Sequence, residues 1–254
     1  DCKLFDGSYF LHEQRGKIMH IFILAGGYGT RLRRVIGESQ KAMAPVDGKP
    51  FLKYQLDLYV GMGVKKFTFL LHYKAACVIS FIKEELRSGI LKGCDVFWHV
   101  EEYPLGTGGA IVNALEVDES VQEFVVLNAD TWIGTPPIKL MKAKGNLIGV
   151  IEVNDCGRFG TVEFDNKGVV TSFSEKTELG RKGWINAGVY KFDRNIFKKC
   201  KVENFSLEKV FLPYLVEAGV LTAVQLEGDF CDIGIPKDYA FITSKIVLEV
   251  SKGA

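Results

Sequence analysis

The fold is decided where a short apolar strand runs into a glycine-rich loop, Ile18-Met-His-Ile-Phe-Ile-Leu-Ala-Gly-Gly-Tyr-Gly-Thr-Arg-Leu32. Open α/β sheets bind their ligands at the carboxyl ends of such strands. Gly26, Gly27 and Gly29 allow the backbone to approach a ligand closely and to adopt positive φ angles. The loop N–H groups and the following helix start suit an anion, and Arg31 can pair with phosphate oxygens. The stretch predicts a phosphate-binding loop, although this motif alone also fits an ordinary glycine turn.

Strands and helices alternate on either side of this loop. The pattern predicts strands at 18–24, 66–71, 94–100 and 123–127, with helices at 50–61, 75–87 and 107–115. That rhythm is typical of a parallel sheet covered by helices. Strands then dominate, at 146–153, 160–164, 169–174 and 184–192, before helices at 206–218 and 236–250. We therefore expect a Rossmann-like α/β three-layer sandwich with a mixed, mostly parallel central sheet.

The composition is that of an ordinary globular protein, with 47% hydrophobic and 25% charged residues. A net charge of +1 gives no general attraction to nucleic acid or membrane, and the apolar runs are too short to span a bilayer. Six cysteines without metal-ligand spacing indicate reduced thiols in a cytoplasmic protein. We expect residues 1–18 to be an N-terminal extension and residues 19–254 to form a single domain, in which an apolar face can support a homodimer.

Two further motifs carry chemistry. Pro104-Leu-Gly-Thr-Gly-Gly-Ala110 places glycines at the start of a predicted helix. Asn128-Ala-Asp130 ends a predicted core strand, and Asp232 lies in Cys231-Asp-Ile-Gly-Ile-Pro236. Mg²⁺ prefers hard oxygen ligands and is often held by one or two carboxylates plus substrate phosphates. Either aspartate alone is more typical of a helix cap or a turn, but the two together favour a magnesium site.

These motifs, in this order, resemble the signature of the sugar-1-phosphate nucleotidyltransferases, also called NDP-sugar pyrophosphorylases. The first matching motif is Leu24-Ala-Gly-Gly-x-Gly-Thr-Arg-Leu32, and the resemblance continues to about residue 239. Where the family has Pro-Lys-Pro, this chain has Gln40-Lys41-Ala42. The resemblance implies a GT-A-like fold with a nucleotide-binding part at about 19–135 and a sugar-phosphate-binding part at about 136–254.

The resemblance also implies roles for individual residues. Asp130 and Asp232 are expected to hold Mg²⁺ against the triphosphate. Arg31 is expected to contact the departing β- and γ-phosphates, and Lys41 the transferred α-phosphate. The residues expected against the nucleotide are Leu24, Ala25, Gly26, Gly27, Gly29, Thr30, Glu101, Gly106 and Thr107.

The acceptor site is implied by three motifs of the second half. These are Arg158-Phe-Gly160, Glu175-Lys176 and Trp184-Ile-Asn-Ala-Gly188, which are similar to the sugar-binding part of the family. Glu175 and Asn186 are expected to contact sugar hydroxyls, and Gly160 to contribute a backbone contact. Lys176 is expected to hold the acceptor phosphate in line for attack. Arg158 can reach that phosphate or pair with a surface acid.

The expected reaction transfers a nucleotidyl group from a nucleoside triphosphate to a sugar 1-phosphate and releases pyrophosphate. GTP is favoured because the Glu101 carboxylate accepts hydrogen bonds, while guanine offers N1–H and an exocyclic amino group side by side. The motifs at 104–111, 184–190, 205–208 and 232–239 are similar to those of the subgroup that acts on D-glycero-α-D-manno-heptose 1-phosphate.

Three alternatives stay open at this point. Uridylyl-, cytidylyl- and thymidylyltransferases for other sugar 1-phosphates share much of the scaffold. A GT-A glycosyltransferase shares the sheet as well, but it normally shows Asp-x-Asp where this chain has Asn128-Ala-Asp130. A non-catalytic regulatory protein that binds nucleotide sugars would be expected to lack Arg31, Lys41 or one of the aspartates, all of which are present.

Overall fold

The computed structural model describes residues 19–37, 39–175 and 180–252, so the predicted N-terminal extension at 1–18 lies outside the described residues. The strands of the described chain are β1 (His20–Leu24), β2 (Pro45–Val46), β3 (Lys49–Pro50), β4 (Lys66–Leu71), β5 (Asp95–Val100), β6 (Glu123–Asn128), β7 (Thr131–Ile133), β8 (Asn146–Val153), β9 (Thr161–Phe164), β10 (Val170–Ser174), β11 (Gly183–Asp193), β12 (Leu221–Gln225) and β13 (Phe230–Asp232). Its α-helices are α1 (Arg33–Ile36), α2 (Phe51–Gly61), α3 (Ala75–Ser88), α4 (Gly106–Val117), α5 (Ile138–Lys142), α6 (Leu212–Glu217) and α7 (Pro236–Lys252).

One mixed sheet of nine strands forms the centre of the fold. Strands β6, β1, β4 and β5 lie side by side and run parallel. The long strand β11 joins this parallel group to the second half of the chain, since it pairs antiparallel with both β6 and β8. The predicted mixed α/β sheet is confirmed, with three parallel strand pairs in the first half of the chain and a fourth, between β8 and β12, in the second half.

Helices cover both faces of the sheet because successive strand residues point to opposite sides. On β1, Ile21 and Ile23 belong to one buried cluster, together with apolar residues of α2 and α3. Phe22 belongs to a second cluster on the other face, with α4 and α6. A third, smaller cluster packs the start of α2 against α7, through residues such as Phe51 and Ile242. The result is the expected helix–sheet–helix layering.

Several short elements were not predicted. The strands β7 and β13, which are distant in sequence, form a separate two-stranded antiparallel sheet, and β12 adds a strand beside β8. The helix predicted at 206–218 begins as a π-helical turn, Leu207–Phe211, before α6. Among the described residues, none of the helices combines the length and the apolar character that a membrane span requires.

Candidate active site

The glycine loop continues directly from β1 at the carboxyl edge of the parallel strands. The Ala25 N–H still donates to the Leu70 carbonyl of β4, at 2.9 Å. Beyond it, and within the described residues, the N–H groups from Gly26 to Arg31 donate to no other protein group. Gly29 has a positive φ of 57°, and a Cβ there would lie only 3.1 Å from the Lys41 Cβ. The loop thus offers unpaired backbone donors beside Lys41, as an anion site requires.

The helix that follows the loop contributes less than the sequence suggested. Helix α1 has only four residues, Arg33–Ile36. So short a helix sums few peptide dipoles. Phosphate binding therefore depends on the loop N–H groups and on cationic side chains. A cavity of about 200 Å³ beside the loop is lined by residues of both kinds, namely Gly27, Gly29, Thr30, Arg31 and Lys41, and also by the acidic residue Asp130.

Gln40, which sequence analysis did not identify, anchors the segment that carries Lys41. Its side chain is 2% exposed. The Gln40 Nε2 donates to the Ala25 carbonyl at 2.7 Å, and its Oε1 accepts from the Ala42 N–H at 2.6 Å. One amide thereby ties the end of β1 to the 3₁₀ turn at Lys41–Met43. This contact restrains the segment at the place where the family has a proline-flanked lysine.

The two predicted metal ligands meet because β7 pairs with β13. Asp130 directly precedes β7, and Asp232 ends β13 opposite Thr131. The Lys41 ammonium lies between the carboxylates, with Nζ 2.6 Å from Asp130 Oδ2 and 3.0 Å from Asp232 Oδ1. The Lys41 side chain is only 12% exposed. The structure therefore brings together three of the residues assigned from sequence.

Charge controls ionisation in this cluster. Burial alone lowers the pKa of Lys41, but the charges of Asp130 and Asp232 outweigh it, so the pKa of Lys41 is raised. Burial and the neighbouring charge of Asp130 raise the pKa of Asp232, against the opposing effect of Lys41. Lys41 is held as a cation, and it offsets the repulsion between the two carboxylates.

The carboxylates fit a divalent cation by their position and their chemistry. They already converge on a single cation, the Lys41 ammonium. In the described part of the chain, no cluster of three or more acidic, histidine or cysteine side chains could hold a metal alone. A metal at Asp130 and Asp232 would thus take its remaining ligands from water and substrate, as Mg²⁺ commonly does.

Gln55 is a second positioning residue that sequence analysis missed. Its Nε2 donates to the carbonyls of Asn128 and Thr131, at 3.1 Å and 2.6 Å, on either side of Asp130. The side chain is 6% exposed and lies on the packed face of α2. A glutamine on an otherwise apolar helix face was the available signal, since buried polar groups need partners.

A second cavity, of about 370 Å³, adjoins the first and shares Leu24, Gly27 and Asp130 with it. Its other lining residues include Gly26, Tyr28, Leu70, His72, Glu101, Gly106, Thr107 and Ala110. Glu101 lines the cavity, and its carboxylate accepts from the Leu105 N–H at 2.8 Å. Burial raises the pKa of Glu101, and the Leu105 hydrogen bond opposes that shift. Mixed apolar and polar walls suit a nucleoside.

The second glycine loop serves packing more than the sequence suggested. A Cβ at Gly108 would lie 2.1 Å from the Phe205 ring, and a Cβ at Gly109 would lie 2.1 Å from the Glu203 carbonyl oxygen. These glycines admit the segment before the π-helical turn. The Thr107 hydroxyl donates to Glu208 at 2.8 Å and accepts from the Leu207 N–H at 2.7 Å. Of this loop, Pro104, Gly106, Thr107 and Ala110 line the cavity, whereas Gly108 and Gly109 do not.

Of the predicted acceptor residues, the structure brings Gly160 and Asn186 together. The Asn186 N–H donates to the Gly160 carbonyl at 2.8 Å. The Asn186 amide also donates to the buried Tyr190 hydroxyl at 2.6 Å. These contacts hold both residues at the point where β11 pairs with β9.

The charged acceptor residues have other partners. Arg158 pairs with Asp238 at the start of α7, which is the surface-acid alternative. Glu175 is exposed, and its carboxylate lies 3.4 Å from the Lys209 ammonium. Lys176 lies outside the described residues.

Comparison with known proteins identifies the family of the chain. A protein-family model described as nucleotidyl transferase matches residues 21–248. The chain is 34% identical over 223 residues to the D-glycero-α-D-manno-heptose 1-phosphate guanylyltransferase of Campylobacter jejuni, covering 87% of this chain and 97% of that protein. It is 31% identical to the mannose-1-phosphate guanylyltransferase catalytic subunit beta of Drosophila melanogaster, of which it spans 60%.

Solved structures show the same likeness. Crystalline HddC from Yersinia pseudotuberculosis, complexed with GMP-PN, superposes with a TM-score of 0.77 at 34% identity, over 90% of this chain and 99% of that one. A putative glucose-1-phosphate thymidylyltransferase from Bacillus anthracis reaches a TM-score of 0.73 at 22% identity, over 89% of this chain and 94% of its own. The second comparison supports the fold only.

Proposed function

The chain belongs to the nucleotidyl transferase family, and we propose that it transfers a guanylyl group from GTP to D-glycero-α-D-manno-heptose 1-phosphate. The products are GDP-heptose and pyrophosphate. The observation that carries the proposal is the meeting of Lys41, Asp130 and Asp232 where the two cavities join. The names of the heptose relative and of the structure complexed with GMP-PN support the choice of base and sugar.

The acceptor phosphate needs no general base. Its second ionisation has a pKa near ~6, so at neutral pH it is already a nucleophile. The oxygen that attacks carries no proton to remove, and a histidine is not required. The task of the protein is to place this oxygen in line with the α-phosphate and to offset the charge that builds up.

The phosphates of GTP would lie along the glycine loop, in the cavity lined by Arg31 and Lys41. Loop N–H groups donate to phosphate oxygens, and Arg31 would hold the departing pyrophosphate with its planar fork. Asp130 and Asp232 would hold Mg²⁺, which when bound supplies positive charge against the triphosphate oxygens. Lys41 would contact the transferred α-phosphate, since its ammonium lies beside both aspartates.

The base and ribose would occupy the cavity between Glu101 and the start of α4. The sugar would lie toward Gly160 and Asn186 in the second half of the chain, with Glu175 and Lys176 nearby in sequence. Arg158 would reach the acceptor phosphate only after it leaves Asp238.

A substrate panel tests the proposal. GTP, ATP, UTP and CTP are each mixed with Mg²⁺ and with heptose, mannose or glucose 1-phosphate, and pyrophosphate release is measured. We expect the fastest release from GTP with the heptose phosphate. Preference for UTP or CTP would refute the choice of base, and no release from any pair would refute nucleotidyl transfer.

An aspartate variant tests the site in the same assay. Asp130→Asn keeps the size of the side chain but removes its charge, so we expect turnover to be nearly abolished while the folded state is retained. Asp57→Asn is the matched control, because Asp57 pairs with Lys53 on α2 and lines neither of the two cavities. Wild-type activity in Asp130→Asn would remove this aspartate from the mechanism.

A further inference from the structure

We infer that Tyr28 and His72 form a specificity device for guanine, in which His72 makes the Tyr28 hydroxyl a hydrogen-bond acceptor beside Glu101. The inference deepens the proposed function, since it takes the cavity of about 370 Å³ as the base site. All three side chains line that cavity. Neither Tyr28 nor His72 is explained by the phosphate chemistry described above.

The position of His72 is fixed by strand β4 and by the glycine loop that follows β1. His72 directly follows β4, and a Cβ on Gly26 of the glycine loop would lie 3.3 Å from the His72 Cβ. The Tyr28 ring meets the His72 ring edge-on, with centroids 5.6 Å apart. It also packs against Tyr73, with centroids 5.2 Å apart. The imidazole and the phenol are therefore held in a defined arrangement at the mouth of the cavity.

The hydrogen-bond partners of His72 decide which atom donates in the hydrogen bond between Tyr28 and His72. The His72 Nδ1 lies 3.2 Å from the Glu101 carbonyl oxygen, which can only accept. In the neutral ring, Nδ1 thus carries the proton and Nε2 is an acceptor. The Tyr28 oxygen lies 3.0 Å from Nε2, so the Tyr28 hydroxyl donates to it. The phenolic oxygen then has only lone pairs to offer to a ligand.

Glu101 adds acceptors on the same wall. An ionised carboxylate accepts hydrogen bonds and donates none, and one Glu101 oxygen is already used by the Leu105 N–H. The other Glu101 oxygen and the Tyr28 oxygen remain as hydrogen-bond acceptors on this wall. Guanine is the standard base that places two donors next to each other, N1–H and the exocyclic amino group. Adenine, uracil and cytosine would each place a hydrogen-bond acceptor against the Glu101 and Tyr28 oxygens. Two acceptors that face each other repel, so binding of these bases is disfavoured.

The test is base selectivity in variants of both residues. Tyr28→Phe keeps the ring and removes the oxygen, and His72→Phe removes the group that orients the hydroxyl. For Tyr28→Phe we expect KM for GTP to rise about fivefold, as for one lost hydrogen bond, with kcat unchanged. KM for UTP should stay within twofold, so the GTP-over-UTP ratio of kcat/KM falls. His72→Phe should lower the same ratio, and the double variant should add little to either single change.

Tyr103→Phe is the matched control, because Tyr103 is 70% exposed and does not line the cavity. A structural effect of either variant would lower activity with all triphosphates alike. An unchanged GTP-over-UTP ratio in Tyr28→Phe, or in His72→Phe, would overturn the inference. Failure of the proposed function is seen separately, because the wild-type protein itself would then show no preference for GTP.

Discussion

Lys41 is the positive charge that lies between the two carboxylates of the candidate site. Its ammonium contacts both carboxylates, although the Lys41 side chain is only 12% exposed. Two carboxylates this close disfavour each other's charge. The ammonium relieves that repulsion until a substrate with its own cation is bound. Gln40 holds Lys41 at this point by bonding both sides of its turn.

Removal of this ammonium should strengthen metal binding in the absence of nucleotide. In Lys41→Met the carboxylates lose their internal counter-ion, so we expect Mn²⁺ to bind about tenfold more tightly, a coupling of the usual size for linked sites. Turnover should fall at the same time, because the proposed contact of Lys41 to the α-phosphate is lost. Electron paramagnetic resonance of free Mn²⁺ measures the affinity directly.

The control for this prediction is Lys139→Met, which removes an exposed lysine paired with Glu227. It should leave Mn²⁺ affinity and turnover as they are in the wild-type protein. Equal Mn²⁺ affinity in wild type and Lys41→Met would show that Lys41 does not compete with a cation at Asp130 and Asp232.

At the scale of elements, long periodic segments could be predicted and short ones could not. Strand β4 and strand β8 have the predicted bounds, because apolar side chains fill them. Strands β7 and β13 have three residues each, too few for a period. Their pairing joins distant parts of the chain and is set by packing. The sequence therefore identified Asp130 and Asp232 by motif, while their meeting with Lys41 emerged only from the fold.

The glycines of α4 show that a motif can be recognised in a sequence before the role of each of its residues is known. The motif at 104–110 predicted only that glycines stand at the start of this helix, and the structure shows that Gly108 and Gly109 admit Phe205 and Glu203. Gln40 was missed because a single buried amide in a loop has no sequence pattern of its own, and Gln55 was missed although it interrupts an apolar helix face. Both act through backbone carbonyls, which sequence cannot locate in space.

Gly109→Ala should destabilise the protein even though alanine favours helices. The new Cβ would lie 2.1 Å from the Glu203 carbonyl oxygen, which belongs to the backbone and cannot rotate away. Overpacking of this kind costs about 1–3 kcal/mol. Gly61→Ala is the matched control, because a Cβ at Gly61, in α2, meets nothing within 4 Å. Urea unfolding compares the two, and equal stability in Gly109→Ala and wild type would contradict the packing role.

On the scale of the whole molecule, the two ends of the parallel strands have different tasks. The carboxyl edge carries both cavities of the candidate site. The opposite edge carries His20, which is 3% exposed and bonds Thr68 through Nε2 at 2.7 Å. Burial, helped by the charge of Lys66 and opposed by Asp118, lowers the pKa of His20 to about 4. The homodimer and the cytoplasmic location expected from the sequence stay predictions.

Stability should therefore fall in acid through His20. In the unfolded chain a histidine titrates near ~6.5, so between that pH and about 4 the unfolded state binds a proton that the folded state refuses. The free energy of unfolding then decreases as pH falls, by up to about 1.4 kcal/mol per pH unit. Denaturant titrations of wild type and His20→Gln at pH 7, 6 and 5 should show a shallower pH dependence in the variant. Parallel curves would mean that His20 is not the titrating group.

In the proposed reaction, GTP is bound along the glycine loop for attack on its α-phosphate. The most direct measurement incubates the protein and Mg²⁺ with heptose 1-phosphate and GTP labelled with ³²P at either the α- or the γ-position. We predict that the α-label appears in GDP-heptose and the γ-label in pyrophosphate, with neither product formed when the sugar phosphate is left out. An α-label in free GMP or GDP, or a γ-label in orthophosphate or in the sugar, would contradict the account.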